Sequence, residues 1–347
     1  KEMRVFVSLF AIILIATGIV GLNLIEDQQM SENRLMQWLK DFVALTSEEI
    51  PPFATRGGYA IQHKGRLFHV GEPITTIQLR QELRRKGVKP GDPTEIRVMA
   101  DICSNPNLAY KVAIAGTESQ FALPGQPGMP EGSWTGLPIG EKSWATASKA
   151  SEPGPGLGSS VLVVWDNQLV AKLVIQYQPI DPKGRTALFP PAADEDLESG
   201  ELAARLILAR ASLVLLGWHE LPKLQLVVNG SSLEARKHQR DFLIPVATVF
   251  ERLGGKVERR SGILVCSWRV KRVTLPIGSR VALVGRWRVE ETSKNSGVKR
   301  LVAAEGKVPL SHPVLFDGKE FWVDGEGIAK ALGLRVQRKG TTVILVP

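Results

Sequence analysis

From Val5 to Ile25 the chain reads VFVSLFAIILIATGIVGLNLI, an uncharged apolar run of about the 20 residues that a helix needs to cross a hydrocarbon core. Lys1 and Arg4 precede it, and Glu26 and Asp27 follow it. The positive-inside bias therefore places the N-terminus in the cytoplasm and everything after Ile25 outside. The rival is a cleaved signal peptide, whose apolar region is normally shorter and ends at a small-x-small site. Here Ala16-Thr17-Gly18 falls inside the run, so the pattern favours an uncleaved single-pass anchor.

Beyond the anchor, Glu26 to Leu45 has neither glycine nor proline and sets Leu35, Met36, Leu39, Phe42 and Val43 at helical spacing. This predicts a helix that leaves the bilayer and ends before Pro51-Pro52, its apolar face against the protein's own body or against neighbouring copies. Tyr59 to Ile102 reads as two short strands about His63-Lys64-Gly65, then a helix, then a strand. The helix rests on the capping spacing of Thr75 to Gln78, the i, i+4 pair Leu79 and Leu83, and Gly87 ahead of Pro90. Its basic residues Arg80, Arg84, Arg85 and Lys86 lie mostly off the apolar face, as solvated charges.

Leu123 to Ser160 is rich in Gly, Pro and Ser and reads as a long loop or pair of loops carrying Trp134 and Trp144. These tryptophans would stack on a ligand or anchor the loop to its own domain. Val161 to Tyr177 predicts a hairpin of largely buried strands turning at Asp166-Asn167. Asp181 to Gly200 reads as a second linker, ending in the acidic residues Asp194, Glu195, Asp196 and Glu198. Those carboxylates lack the pattern of a calcium loop and suit the start of a helix. Glu201 to Trp218 is that helix, so apolar that it belongs in a core, with Glu201, Arg205 and Arg210 its only charges.

From Leu224 onward the pattern repeats. The first copy carries Val228-Asn229-Gly230, Leu243-Ile244-Pro245 and a short helix to Leu253-Gly254-Gly255. The second carries Asp317-Gly318, Phe321-Trp322-Val323 and a helix to Leu332-Gly333-Leu334, with Asp324 in place of Pro245. Each copy is read as a strand-helix-strand unit, and the polar segment 290–298 separates the two. With Phe250 to Gly254, this order resembles the copper amine oxidase-like N-terminal domain, or stalk domain, of surface proteins in Gram-positive-type bacteria. The resemblance covers roughly the last third of the chain. It implies an extracytoplasmic, non-catalytic module that acts as a spacer or associates with the wall. Copper chemistry is not implied, since His63, His69, His219, His238 and His312 show no ligand spacing, and no metal or other cofactor is expected.

A formal charge of +9 favours anionic partners such as acidic headgroups or phosphate-rich wall polymers. Basic residues are scattered, with only short clusters at 84–86, 259–260 and 269–272, which argues against nucleic acid. Cys103 and Cys266 stand far apart and fit either one disulfide or two buried thiols. No nucleophile elbow, Walker loop or zinc-protease motif occurs in the sequence. One segment resembles a catalytic motif: Ala113 to Phe121 is similar to the Glu-Ser stretch of lytic transglycosylases, in which Glu118 would be the general acid on a glycosidic bond.

The sequence thus predicts an α+β protein in four parts: a transmembrane anchor and extended helix at 1–50, an α+β domain with a Gly/Pro-rich loop at 51–180, a linker and apolar helix at 181–222, and a duplicated stalk-like domain at 223–347. The expected function is non-enzymatic binding, spacing or assembly in the cell envelope. Its partners would be membrane lipid through Val5 to Ile25, then wall polymer, other envelope proteins or further copies of itself. A peptidoglycan-cleaving enzyme and a filament subunit are the alternatives.

Overall fold

In a computed structural model the chain is described over residues 32–67, 71–88, 92–121, 136–147, 159–177, 194–239, 241–290 and 298–346. The apolar run Val5 to Ile25 lies outside these residues. Among the described residues no helix is long and apolar enough to cross a membrane.

The fold is α+β and dominated by antiparallel sheet. A first helix, α1, spans 32–38 and closes in a π turn at Leu39–Val43. Its Leu39 and Val43 are fully buried against the protein's own body, chiefly the long helix described below and the first strand. Six strands then form one sheet: β1 (Phe53–Arg66), β2 (Pro73–Arg85), β3 (Pro93–Cys103), β4 (Lys142–Ala147), β5 (Ser159–Asp166) and β6 (Leu169–Tyr177), in the order β1-β2-β3-β6-β5-β4. The helix α2 (Pro106–Phe121) covers part of one face. It starts on Asn105, whose Oδ1 accepts the Leu108 N–H at 2.8 Å, with Pro106 in the first turn where no N–H is needed.

Two expectations for this half are corrected. Pro73 to Arg85 is a strand, with Ile77, Leu79, Gln81 and Leu83 all buried at period two. A spacing of four residues satisfies helix and strand alike, and the polar Gln81 concealed the alternation. It is inward because its side chain bonds the Leu45 backbone on both sides, accepting from N at 2.9 Å and donating to O at 2.6 Å. Likewise β1 runs straight through His63-Lys64-Gly65 without turning there. The expected loop 123–160 contains β4 and a described lead-in at 136–141, while 122–135, with Trp134, and 148–158 lie outside the described residues. The hairpin at 161–177 is present, with Asn167 in a left-handed turn conformation.

The central helix α3 (Asp194–Leu215) takes the acidic cluster into its first turns, so the linker expected to reach Gly200 stops earlier. Ala203 to Ala209 and Leu213 are buried all round the axis, as expected of a helix enclosed by other elements. It packs on β3, β5 and β6 on one side and on the C-terminal strands on the other. Arg210 reaches back to Glu49 before β1, where burial opposes ionisation but hydrogen bonds from Arg210 and the Thr46 backbone hold the carboxyl below its ordinary value.

The remaining chain forms two sheets. One holds β10 (Lys256–Arg260), β11 (Ile263–Trp268), β12 (Lys271–Pro276), β13 (Val281–Glu290) and β14 (Val298–Pro309) as a meander. The other has the order β15-β16-β9-β8-β7-β18-β17, from β7 (Lys223–Val228), β8 (Ser231–His238), β9 (Asp241–Pro245), β15 (Leu315–Phe316), β16 (Phe321–Asp324), β17 (Arg335–Lys339) and β18 (Thr342–Val346). Helices α4 (Val246–Arg252) and α5 (Gly325–Leu332) follow β9 and β16 directly.

The two units match at a constant offset of 79 residues, Ile244 to Val323, Gly254 to Gly333 and Lys256 to Arg335. Strands β9 and β16 pair antiparallel with Ile244 opposite its counterpart Val323 and with the residues on either side exchanged, Pro245 opposite Trp322 and Leu243 opposite Asp324, so the units meet about a local two-fold axis through that pair. At this offset the Asp317-Gly318 turn corresponds to the β8–β9 turn at His238-Gln239, not to Asn229-Gly230, which joins β7 to β8. The sequence pairing was misled because both turns carry a tight-turn dipeptide, whereas Gln239 adopts its left-handed conformation without one. Asp324, in place of Pro245, caps α5 by accepting the Glu326 N–H at 2.9 Å.

The halves are locked at α3. Arg205 is 1% exposed and bonds Leu137 O, Pro138 O, Ile277 O and Glu201. Beside it Gly140 donates its N–H to Gly278 O at 2.7 Å. Gly140 has φ +60°, and a Cβ there would lie 2.6 Å from the Trp165 carbonyl oxygen.

Candidate functional site: an arginine-lined sheet face

The two faces of the six-stranded sheet differ in chemistry because side chains alternate along each strand. Leu79, Leu83, Ile96, Val98, Leu173 and Ile175 point to α3 and form the main core. The opposite face is apolar only beneath α2, where Leu108, Ala109 and Ala113 meet Val161, Val163, Val170 and Cys103. Beyond the cover of α2 it is polar and open.

Register aligns its residues in cross-strand rows. Tyr59, Arg80, Met99 and Lys172 stand opposite one another across β1, β2, β3 and β6. The neighbouring row holds Glu82, Arg97 and Val174. A bulge in β1 between Thr55 and Gly58 brings Arg56 to the same place. All of these but Lys172 line a groove of about 850 Å³ with three guanidinium groups and one carboxylate. Tyr59 is 51% exposed, an unusual position for a large ring and one suited to contact with a ligand.

The arginines are not equivalent. Arg97 bonds Glu95 Oε1, which raises its already high pKa, and Arg84 shares the same carboxylate at 3.4 Å. Arg80 donates to the amide oxygen of Gln78, whose Nε2 in turn donates to Asp101 Oδ1 at 2.7 Å. A neutral amide orients Arg80 without neutralising it. Arg56 makes no side-chain hydrogen bond among the described residues. Burial pushes the Asp101 carboxyl up, against the hydrogen bonds from Gln78 and Thr76, and pushes the Lys172 ammonium down. The guanidinium groups of this face stay ionised at any working pH.

Of the residues singled out in the sequence, Glu118 lies in the last turn of α2, a helix packed on a sheet and not within a helical body. Trp144 sits on β4 with its ring 6.5 Å from that of Tyr110 on α2, an anchoring contact within the domain. Cys103 on β3 and Cys266 on β11 are both unpaired and buried, and burial pushes each thiol pKa to about 12. We expect neither to react with a thiol-specific dye in the native protein and both to react after denaturation; rapid native labelling of either contradicts this packing. Among the described residues no three His, Cys, Asp or Glu side chains are grouped to hold a metal ion. His69 lies outside those residues, but His238 and His312, far apart in sequence, come together with ring centroids 4.7 Å apart.

Reading Arg80 and its neighbours as surface charge on a helix concealed the groove, since only the strand assignment puts Arg80 in line with Tyr59 and Met99. Compared with protein-family models, curated proteins and solved structures, the chain matches none.

Proposed function

We propose that the chain is a single-pass, extracytoplasmic binding module of a bacterial cell envelope whose arginine face holds an anionic polymer. The uncharged stretch Val5 to Ile25, basic before and acidic after, supports the anchor and its orientation. The stalk-like order of the last third supports a non-catalytic, wall-associating role. The observation that carries the ligand class is the row Tyr59, Arg80, Met99 and Lys172 with Arg97 and Arg56 beside it. With strands about 4.8 Å apart, four strands present this row over roughly 14 Å, which suits an extended chain better than a single small ion. Guanidinium groups bind phosphate or carboxylate in a planar fork, and an open sheet face leaves both ends of the polymer free to continue.

Protease added to intact cells that make the chain is expected to remove the body while a cytoplasmic N-terminal tag survives. Protection of the bulk of the molecule would refute the topology. The same cells serve a wall-digestion assay, in which wild type and Glu118→Gln are expected to behave alike; digestion that disappears in the variant would favour the glycosidase reading.

A further inference from the structure

A second cavity, of about 270 Å³, lies where the β5–β6 turn, the end of α3, the β8–β9 turn and the loops at 280 and 312 converge. It is distinct from the arginine face and does not depend on the function proposed for it. Both turns enter it through a residue other than glycine held at positive φ, Asn167 and Gln239, each at 51°. Asparagine takes this conformation readily in a hairpin turn, whereas for glutamine it is costly and persists where the surroundings hold it.

Ser212 reaches the cavity from the last turn of α3. The residue is 6% exposed, and its hydroxyl is buried with no hydrogen-bond partner. A buried hydroxyl without a partner is uncommon in a native fold and points to a missing ligand group. Opposite stand His238 and His312, packed edge to face. Burial, with His238 and Arg280 nearby, holds His312 below the ordinary imidazole value, against the pull of Asp241 and Asp324. It is thus neutral at neutral pH, with one donor and one acceptor.

Charge narrows the ligand class. Arg280 is the cavity's only cation of fixed charge, and it is already held by Asp166 through Nε and Nη2, by Ser311 O through Nη1, and by Glu141 at 3.8 Å. An anion meets no uncompensated positive charge there, and a cation meets no uncommitted carboxylate. What is offered includes the His312 imidazole, a serine hydroxyl and side-chain amides, groups that both donate and accept, with Leu215 and Pro313 as an apolar strip beside them. The volume falls just below the roughly 300 Å³ at which drug-sized pockets begin, so it suits one ring.

We propose that this cleft binds one ring of an uncharged polyhydroxylated ligand, a sugar or cyclic polyol. Each ligand hydroxyl gives and takes a hydrogen bond, as the His312 imidazole, the Gln239 amide and the Ser212 hydroxyl require, and its C–H face lies on Leu215 and Pro313. The source is either a free monosaccharide or the end of a glycan.

Saturation-transfer NMR on the full chain in detergent tests this, with glucose, N-acetylglucosamine and inositol as single rings, a chitotetraose as a glycan end, and phosphate and acetate as anions. Saturation of at least one ring compound is expected, with neither anion competing; tighter binding of the tetrasaccharide than of any single ring identifies a glycan end. Ser212→Ala, which removes a group with no partner in the fold and so spares folding, is expected to weaken binding about three- to tenfold. His312→Phe keeps the ring packing and is expected to weaken it by about tenfold or more. Arg80→Gln should leave it unchanged, which separates this site from the arginine face. Absence of ring saturation, displacement by phosphate or acetate, or undiminished binding in both cleft variants overturns the proposal.

Discussion

Replacing Arg205 by methionine is expected to destabilise the protein by about 3–5 kcal/mol, the cost of removing one member of a buried charged network. All five N–H donors of this guanidinium are engaged: Nε and Nη2 with Glu201 at 2.8 and 2.6 Å, Nη2 with Leu137 O at 2.8 Å, and Nη1 with Pro138 O at 3.0 Å and Ile277 O at 2.9 Å. Methionine fills similar space but takes the guanidinium donors away from three backbone carbonyls and a carboxylate, of which the Ile277 carbonyl is engaged in a fully buried bond. Lysine should not rescue, because a compact ammonium has three donors and cannot span acceptors on both sides of α3. Burial lowers the Arg205 pKa, and the charge and hydrogen bond of Glu201 oppose that. Denaturant unfolding should show the midpoint falling sharply in both variants. A change below about 1 kcal/mol would mean that the two halves are not joined through this residue.

A second large effect is expected at Gly325, the first residue of α5. Its counterpart in the other unit is Val246, yet here a Cβ would lie 2.1 Å from the ring of Phe242. Phe242 is 1% exposed and has no room to withdraw, so Gly325→Ala should cost about 3 kcal/mol despite the better helix propensity of alanine. Trimming the obstacle should help: Gly325→Ala with Phe242→Leu is expected to be less destabilised than the sum of the two single changes. Strict additivity would show that the ring and the helix start do not compete for the same space.

These two sites also show what was legible. The Glu201–Arg205 spacing in an otherwise apolar helix marks a buried pair in the sequence, but its backbone partners at 137–138 and 277 belong to loops with no pattern of their own. The repeat of a strand, a short helix and a following strand was readable because Gly254 and Gly333 stop equivalent helices, though the structure closes each unit with a two-stranded hairpin. Their true alignment was not, because it depends on which strands pair, and β9 with β16 is a long-range choice. In the N-terminal half the hairpin at 161–177 stood out through β-branched runs about a turn. The strand Pro73–Arg85 did not, since Leu79 and Leu83 fit both periods and the decisive position, Gln81, is polar. With that strand misread, the arginine face was invisible, and the cleft was equally hidden because its histidines come from different units.

The central claim, that the sheet face binds a polyanion, is tested most directly by titrating the full chain in detergent with a polyphosphate of defined length at several salt concentrations. Wild type is expected to lose affinity steeply as salt rises, since each neutralised phosphate releases counterions. Arg80→Gln with Arg97→Gln should bind about tenfold or more weakly and lower the log–log salt slope by roughly one to two, less for Arg97 because Glu95 already pairs it. A control pair on β10, Arg259→Gln with Arg260→Gln, should follow wild type. Equal affinity and slope in wild type and the Arg80/Arg97 variant would contradict the account.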